Sequence, residues 1–231
     1  MLGACKVSPP PPVVPFHTTT EADAKGDTSV LLVVGGVMQG LGGVGLGAAL
    51  RVQHQQTDRT ALGIEMAAGH GDGDNTTLSM VAFRGYGRTT IPGQEWLALT
   101  YGAGFSLLST GMVSVTAHAG AAISYPNDHF VPYLAISGAI AVPLAQGDDF
   151  GDMARDINEP DSRNVVAAPP ADYTYGGKRG VRTTGYLAFD PGFVVPVGDT
   201  GHDLSADIGL AWGTRRGTGF WSASFADQFH P

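Results

Sequence analysis

The sequence predicts an all-β protein, a closed antiparallel up-and-down transmembrane β-barrel. Three observations predict it. Apolar residues recur with period two in successive runs of about ten residues. The opposite face of each run is Gly, Ala, Ser and Thr rather than Lys and Glu. Charge is sparse: 15% of the 231 residues are charged, against about 25% in an average soluble domain. Lysine, which normally coats a wet surface, occurs only as Lys6, Lys25 and Lys178.

Residues 1–28 read as a tether and residues 29–231 as the barrel domain. Within the tether, Leu2-Gly3-Ala4-Cys5 is similar to the lipobox of bacterial lipoproteins. Two readings stand for Cys5: a lipid-modified residue, or a free thiol on a terminus. A lipid chain would add about 0.8 kcal/mol of membrane affinity per buried CH₂. Pro9 to Pro12 and Pro15 favour an extended polyproline conformation, and Thr18, Thr19, Thr20, Glu21, Asp23 and Asp27 offer almost nothing to bury.

The strands follow in order, over 30–38, 43–53, 60–70, 76–87, 95–108, 111–125, 129–144, 182–197, 203–213 and 218–226. In 43–53, Val44, Leu46, Ala48, Leu50 and Val52 oppose Gly45, Gly47, Ala49, Arg51 and Gln53. In 60–70, Leu62, Ile64, Met66 and Ala68 oppose Gly63, Glu65, Ala67 and Gly69. The run 76–87 alternates poorly, because Val81 and Phe83 break the face of Leu78 and Met80, and a β-bulge is expected there. In 95–108, Leu97, Leu99, Tyr101, Phe105 and Leu107 oppose Thr100, Gly102, Gly104 and Ser106. In 111–125, Val113, Val115, Ala117 and Ile123 oppose Ser114, Thr116, His118, Gly120 and Ser124. Then Leu134, Ile136, Ile140, Val142 and Leu144 share one face, and Leu187, Phe189, Phe193, Val195 and Val197 another, against Tyr186, Asp190 and Gly192. Leu204, Ile208, Leu210 and Trp212 oppose Asp203, Ser205, Asp207 and Gly209, and Trp221, Ala223 and Phe225 close the series. This is strand periodicity, not helical periodicity. Asp72-Gly73-Asp74-Asn75, Pro126-Asn127-Asp128 and Gly198-Asp199-Thr200-Gly201 separate runs with turn chemistry.

The small, uncharged second face decides between barrels. In a soluble barrel that face meets water and carries many charges. In a narrow lumen, space is limited and the few charges pair. The apolar face then meets the lipid bilayer, where every unpaired backbone group costs several kcal/mol and only closure satisfies all strand edges. Trp96, Tyr125, Phe130, Tyr186, Trp212 and Trp221 fall near strand ends as candidates for interfacial girdles. Ten strands put both termini on one side and the long 145–181 connection on the other, the extracellular side. Eight strands is the alternative, if 30–38 stays unpaired and another weak strand fails.

Composition removes other classes. No run of 18 apolar residues exists, so a transmembrane helix is excluded. A formal charge of −8 without a basic block argues against nucleic acid as a partner. The glycine-rich stretch 35–47 lacks the Gly-Lys-Ser/Thr of a phosphate loop. No cofactor or metal site is expected: Asp148, Asp149, Asp152 and Asp156, like His70, Asp72 and Asp74, lack calcium-loop spacing.

On this alternation and composition, from about residue 29 to 229, the chain resembles the small outer-membrane β-barrel proteins of Gram-negative bacteria, the porin-like class of eight to ten strands. The resemblance implies residence in the outer membrane and insertion by the barrel-assembly machinery. Proteins of that class often end in a strand closing with an aromatic residue; here Phe229 and Phe225 lie near the end.

Arg51, Glu65, Asp190 and Asp207 are expected to form a lumen ion-pair network of structural role. His118, on the lumen face, is expected to be structural, since no Ser or carboxylate stands at a telling spacing. The expected function is non-enzymatic: structural, adhesive or narrow-pore. Two rivals are a soluble lipocalin-like lipoprotein binding a small apolar ligand, and an outer-membrane barrel enzyme acting on lipids.

Overall fold

The computed structural model describes residues 24–39, 43–73, 76–109, 112–125, 127, 129–145, 174–175, 178–179, 183–197, 201–214 and 219–230. Its strands are β1 (Thr28–Gln39), β2 (Gly43–Thr57), β3 (Thr60–Gly73), β4 (Thr76–Ile91), β5 (Gln94–Leu108), β6 (Val113–Ser124), β7 (Val131–Ala145), β8 (Thr174–Tyr175), β9 (Lys178–Arg179), β10 (Thr184–Pro196), β11 (His202–Gly213) and β12 (Gly219–Phe229). Ten of them close a barrel in which each strand pairs with its sequence neighbour and β1 pairs with β12. The remaining two, β8 and β9, form a separate hairpin. The alternative of eight barrel strands is set aside by the pairing of β1 on both edges, with β2 and with β12.

All barrel pairings are antiparallel. Following the pairs from Leu31 in both directions meets β10 at Thr184 on one side and at Pro196 on the other, a stagger of twelve residues. A stagger of this size tilts the strands, typically by about 35–45°. At about 3.3 Å per residue and that tilt, the shortest barrel strand, with 11 residues, rises roughly 28 Å, close to the thickness of a hydrocarbon core.

Each strand has one exposed apolar face. Leu32, Val34, Leu46, Ile64, Leu99, Phe105, Ile140, Leu187 and Ile208 are exposed on the outside, while Ser29, Arg51, Glu65, Arg84, Thr100, His118, Ser137, Asp190 and Asp207 are buried inside. This is the reverse of a soluble protein, in which exposure selects polar residues. The interior is filled by side chains and includes an apolar cluster of Leu31, Val33, Ala49, Ala67 and Ala226.

Two sequence expectations are corrected. The bulge expected in 76–87 is absent: β4 pairs with β3 without a break from Thr76 to Thr89, and the β4–β5 register shifts only between Thr90 and Ile91. Val81 and Phe83 set the outward phase of β4, so its even positions, Arg84, Tyr86 and Arg88, point into the lumen. Tyr186 is not a girdle residue; it is 4% exposed and packs in the interior with Ala141. Its parity matches Asp190, which also faces in. Trp96, Tyr125, Phe130 and Trp212 are exposed near strand ends.

Turns at the end of the barrel where β1 starts and β12 finishes are held by local side chains. Thr57 Oγ1 accepts from the backbone N–H of Thr60 at 3.0 Å. Asn127 Oδ1 accepts from the N–H of Phe130 at 2.8 Å, which is Asx-turn chemistry. Pro92-Gly93 joins β4 to β5, with Gly93 at φ +75°, a conformation in which glycine carries no steric penalty. Residues 24–27 dock on the same rim, where Gly26 N–H donates to Gln55 O at 2.9 Å. β1 begins at Thr28, the last residue of the segment read as tether. The connection between β7 and β10 leaves from the opposite rim. Cys5, Asp74, Asp148, Asp149, Asp152 and Asp156 lie outside the described residues.

Candidate functional site

The charged lumen clamp is built by three consecutive strands whose pairing brings inward residues level. Arg51 on β2 lies opposite Glu65 on β3, and Glu65 lies opposite Arg84 on β4. Arg51 Nε donates to Glu65 Oε2 at 3.0 Å, and its Nη2 lies 2.9 Å from the same oxygen. Arg84 Nη2 reaches both carboxylate oxygens, each at 2.7 Å. These side chains are 1–6% exposed. Glu65 is therefore clamped between two guanidiniums, which adds charge-assisted hydrogen bonds to the ion pairing. The Arg51 guanidinium also lies 4.2 Å over the Tyr86 ring, a cation–π contact that covers its remaining face.

The sequence reading placed Arg51 and Glu65 in the network and missed Arg84. The signal was present in the alternation Arg84, Tyr86, Arg88. Phasing β4 on Leu78 and Met80, at its other end, hid it. His118 on β6 lies opposite Gly102 on β5, and a Cβ at Gly102 would collide with the imidazole Cε1. The ring thus lies flat over the glycine. Its Nε2 has no hydrogen-bond partner among the described residues.

Asp207 and Asp190 belong to a second group on the far wall. Asp207 on β11 accepts from Tyr133 Oη at 3.3 Å and from Ser224 Oγ on β12. Asp190 on β10 is 5% exposed, and its Oδ2 has no hydrogen-bond partner among the described residues. It makes none of the contacts of the Arg51–Glu65–Arg84 clamp. Of the four residues expected in one network, Arg51 and Glu65 meet in the clamp with Arg84, Asp207 meets Tyr133 and Ser224, and Asp190 lies over Gly209. Gly192 and Gly209 make room there: a Cβ at Gly192 would strike the Tyr133 ring, and one at Gly209 would strike Asp190 Oδ1 and Ser222 Oγ.

Two His–Asp pairs join β11 to β12 at the terminal rim. His202 Nδ1 lies 3.0 Å from Asp227 Oδ1, and His230 Nε2 lies 3.1 Å from Asp203 Oδ2. Strand parity puts the first pair on the outer face and the second on the lumen face. No group of three or more His, Cys, Asp or Glu among the described residues is placed to hold a metal.

No protein-family model and no curated protein sequence matches the chain. Solved structures do. The β domain of the Bordetella autotransporter BrkA matches with a TM-score of 0.50 and 10% identity, over 90% of this chain and 99% of that one. The translocator domain of the autotransporter NalP from Neisseria meningitidis matches with a TM-score of 0.48 and 13% identity, over 90% of this chain and 89% of that one. An outer membrane channel from Pseudomonas putida F1 matches with a TM-score of 0.46 and 10% identity, over 95% of this chain and all of that one. At these identities the likeness concerns the fold alone, a closed antiparallel β-barrel.

Proposed function

We propose that this chain is an integral protein of a bacterial outer membrane whose barrel is plugged by its own side chains and which acts as a non-enzymatic structural or adhesive element. The observation that carries the reading is the clamped interior: Arg51, Glu65 and Arg84 meet within 3.0 Å, and their side chains are almost fully buried. A lumen filled in this way offers solutes little free passage. The outward face supports the membrane part, with Ile64, Leu46, Phe225 and Tyr125 about 70% exposed, which only a hydrocarbon surround makes favourable. The long connection at the rim opposite the termini supplies the surface for adhesion, on the extracellular side. Insertion by the barrel-assembly machinery and lipidation of Cys5 belong to the same proposal.

The test is electrical and electrophoretic. Refolded protein should run at two mobilities on detergent gels, one before and one after boiling. In planar bilayers it should give no conductance of the size of a general diffusion pore. Steady large-pore conductance would overturn the plugged reading. Monodisperse behaviour in buffer free of surfactant would overturn the membrane reading.

A further inference from the structure

His118 is a buried titratable group that the clamp does not use. It is 6% exposed, on the inward face of β6. Register sets its neighbours: His118 lies opposite Gly102 on β5, and Gly102 lies opposite Tyr86 on β4. Gly102 has no side chain, so β5 places none between the imidazole and Tyr86 in that row. The ring leans across: a Cβ at Gly102 would collide with its Cε1 and lie 3.1 Å from its Nε2. Tyr86 in turn carries the Arg51 guanidinium 4.2 Å over its ring, and Arg51 and Arg84 both hold Glu65. The Cε1–Nε2 edge thus leans toward the flank of the clamp. The charges that act on it are those of Arg84, Arg51 and Glu65.

A proton changes the balance there. Proton uptake leaves an N–H on both ring nitrogens and puts a positive charge on the ring. Nε2 has no hydrogen-bond partner among the described residues, so the added charge starts without an acceptor in a dry interior, which is strongly unfavourable. Glu65 is the anion that acts on the ring, and two guanidiniums already share it. The cationic ring is satisfied by drawing Glu65 from them, or by leaving its place over Gly102. Either movement opens the packed interior at this level. The other titratable groups buried around the lumen are Tyr86 and Arg88 on β4, Tyr133 on β7, Tyr186 and Asp190 on β10 and Asp207 on β11; the inward face of β5 adds none among the described residues. Glu65, Asp190 and Asp207 also take up protons in acid, so the test turns on His118 itself.

We propose that His118 is an acid sensor for the plug: on taking up a proton it competes with Arg51 and Arg84 for Glu65, and the lumen loosens enough to pass small inorganic ions. This inference rests on the plugged reading above and adds regulation to it. It needs no resident ligand, only a rearrangement of groups already in contact.

The experiment uses the full chain refolded into planar bilayers in NaCl, recorded at neutral pH and then well below the ordinary histidine value of about 6.5. The wild-type barrel should stay closed at neutral pH and open in small steps in acid. The open fraction should rise by no more than about tenfold per pH unit, the limit for one proton. His118→Gln, which takes up no proton, should stay closed throughout, whereas Glu95→Gln, exposed at the start of β5, should open as wild type does. Should His118→Gln fail to fold, His118→Asn carries the same test. Acid opening that persists unchanged in the His118 variant would place the sensor on the carboxylates and overturn the proposal. A wild-type barrel that stays closed in acid overturns the proposal and leaves the plugged reading standing, whereas steady large-pore conductance at neutral pH overturns both.

Discussion

Glu65 is held by two arginines, so the members of the clamp are not equivalent. Removing Glu65 takes an ion-pair partner from Arg51 and Arg84 together, whereas removing Arg51 leaves the Glu65–Arg84 pair intact. Breaking a buried ion pair by deleting one partner costs about 3–5 kcal/mol. Glu65→Gln should therefore lose at least that much stability. Arg51→Ala should lose about 1–3 kcal/mol, the value of charged hydrogen bonds without a stranded partner. Urea titration of the folded gel band in detergent measures both, and equal losses would mean that Arg84 does not share the load. Tyr86 gives Arg51→Lys a cost as well, because an ammonium lacks the planar fork and stacks less well on the ring.

At the scale of the strand, glycine is placed where walls must approach. Gly104 on β5 faces Arg84 on β4, and a Cβ there would collide with Phe83 O and lie 2.5 Å from Arg84 Cβ. Gly138 on β7 meets nothing within 4 Å. Gly104→Val should cost about 1–3 kcal/mol through overpacking and displace Arg84 from Glu65, while Gly138→Ala should be neutral. Folding yield and urea midpoint of the two variants separate packing from any general effect of losing glycine. The same logic explains why period-two alternation looked broken in β4. Its inward positions run from Met80 to Arg84 and Arg88, so side-chain polarity changes along one face while the phase does not. Polarity reports the face only where the lumen is uniformly polar, and near the far rim it is not.

For the whole molecule the governing fact is which solvent meets the outside. Met66 is 48% exposed at the middle of β3. A lysine at the midplane of a lipid-facing strand costs about 2–4 kcal/mol, whereas on a wet surface it costs almost nothing. Met66→Lys should therefore lower stability in lipid vesicles by that amount, and a neutral result would place the outer face in water. Closure makes this exposure tolerable. The β1–β12 seam pairs ten residues, from Val30–Phe229 to Gln39–Phe220, so no barrel edge presents open backbone to hydrocarbon. Phe229 ends β12 on the outer face, at the rim where Trp96, Tyr125 and Phe130 are also exposed.

By itself the sequence determined the ten barrel strands, the faces of all of them but β4, and the closed antiparallel barrel, because alternation is a local property and the scarcity of charge is a property of composition. Leu62, Ile64 and Met66 against Glu65 and Ala67 can be read without knowing any partner. Tertiary structure alone decided which inward residues meet. Arg84 joins Arg51 at Glu65 because register between strands sets their level in the lumen. That register comes from closure with a stagger of twelve residues, a constraint summed around the whole wall that no single segment carries.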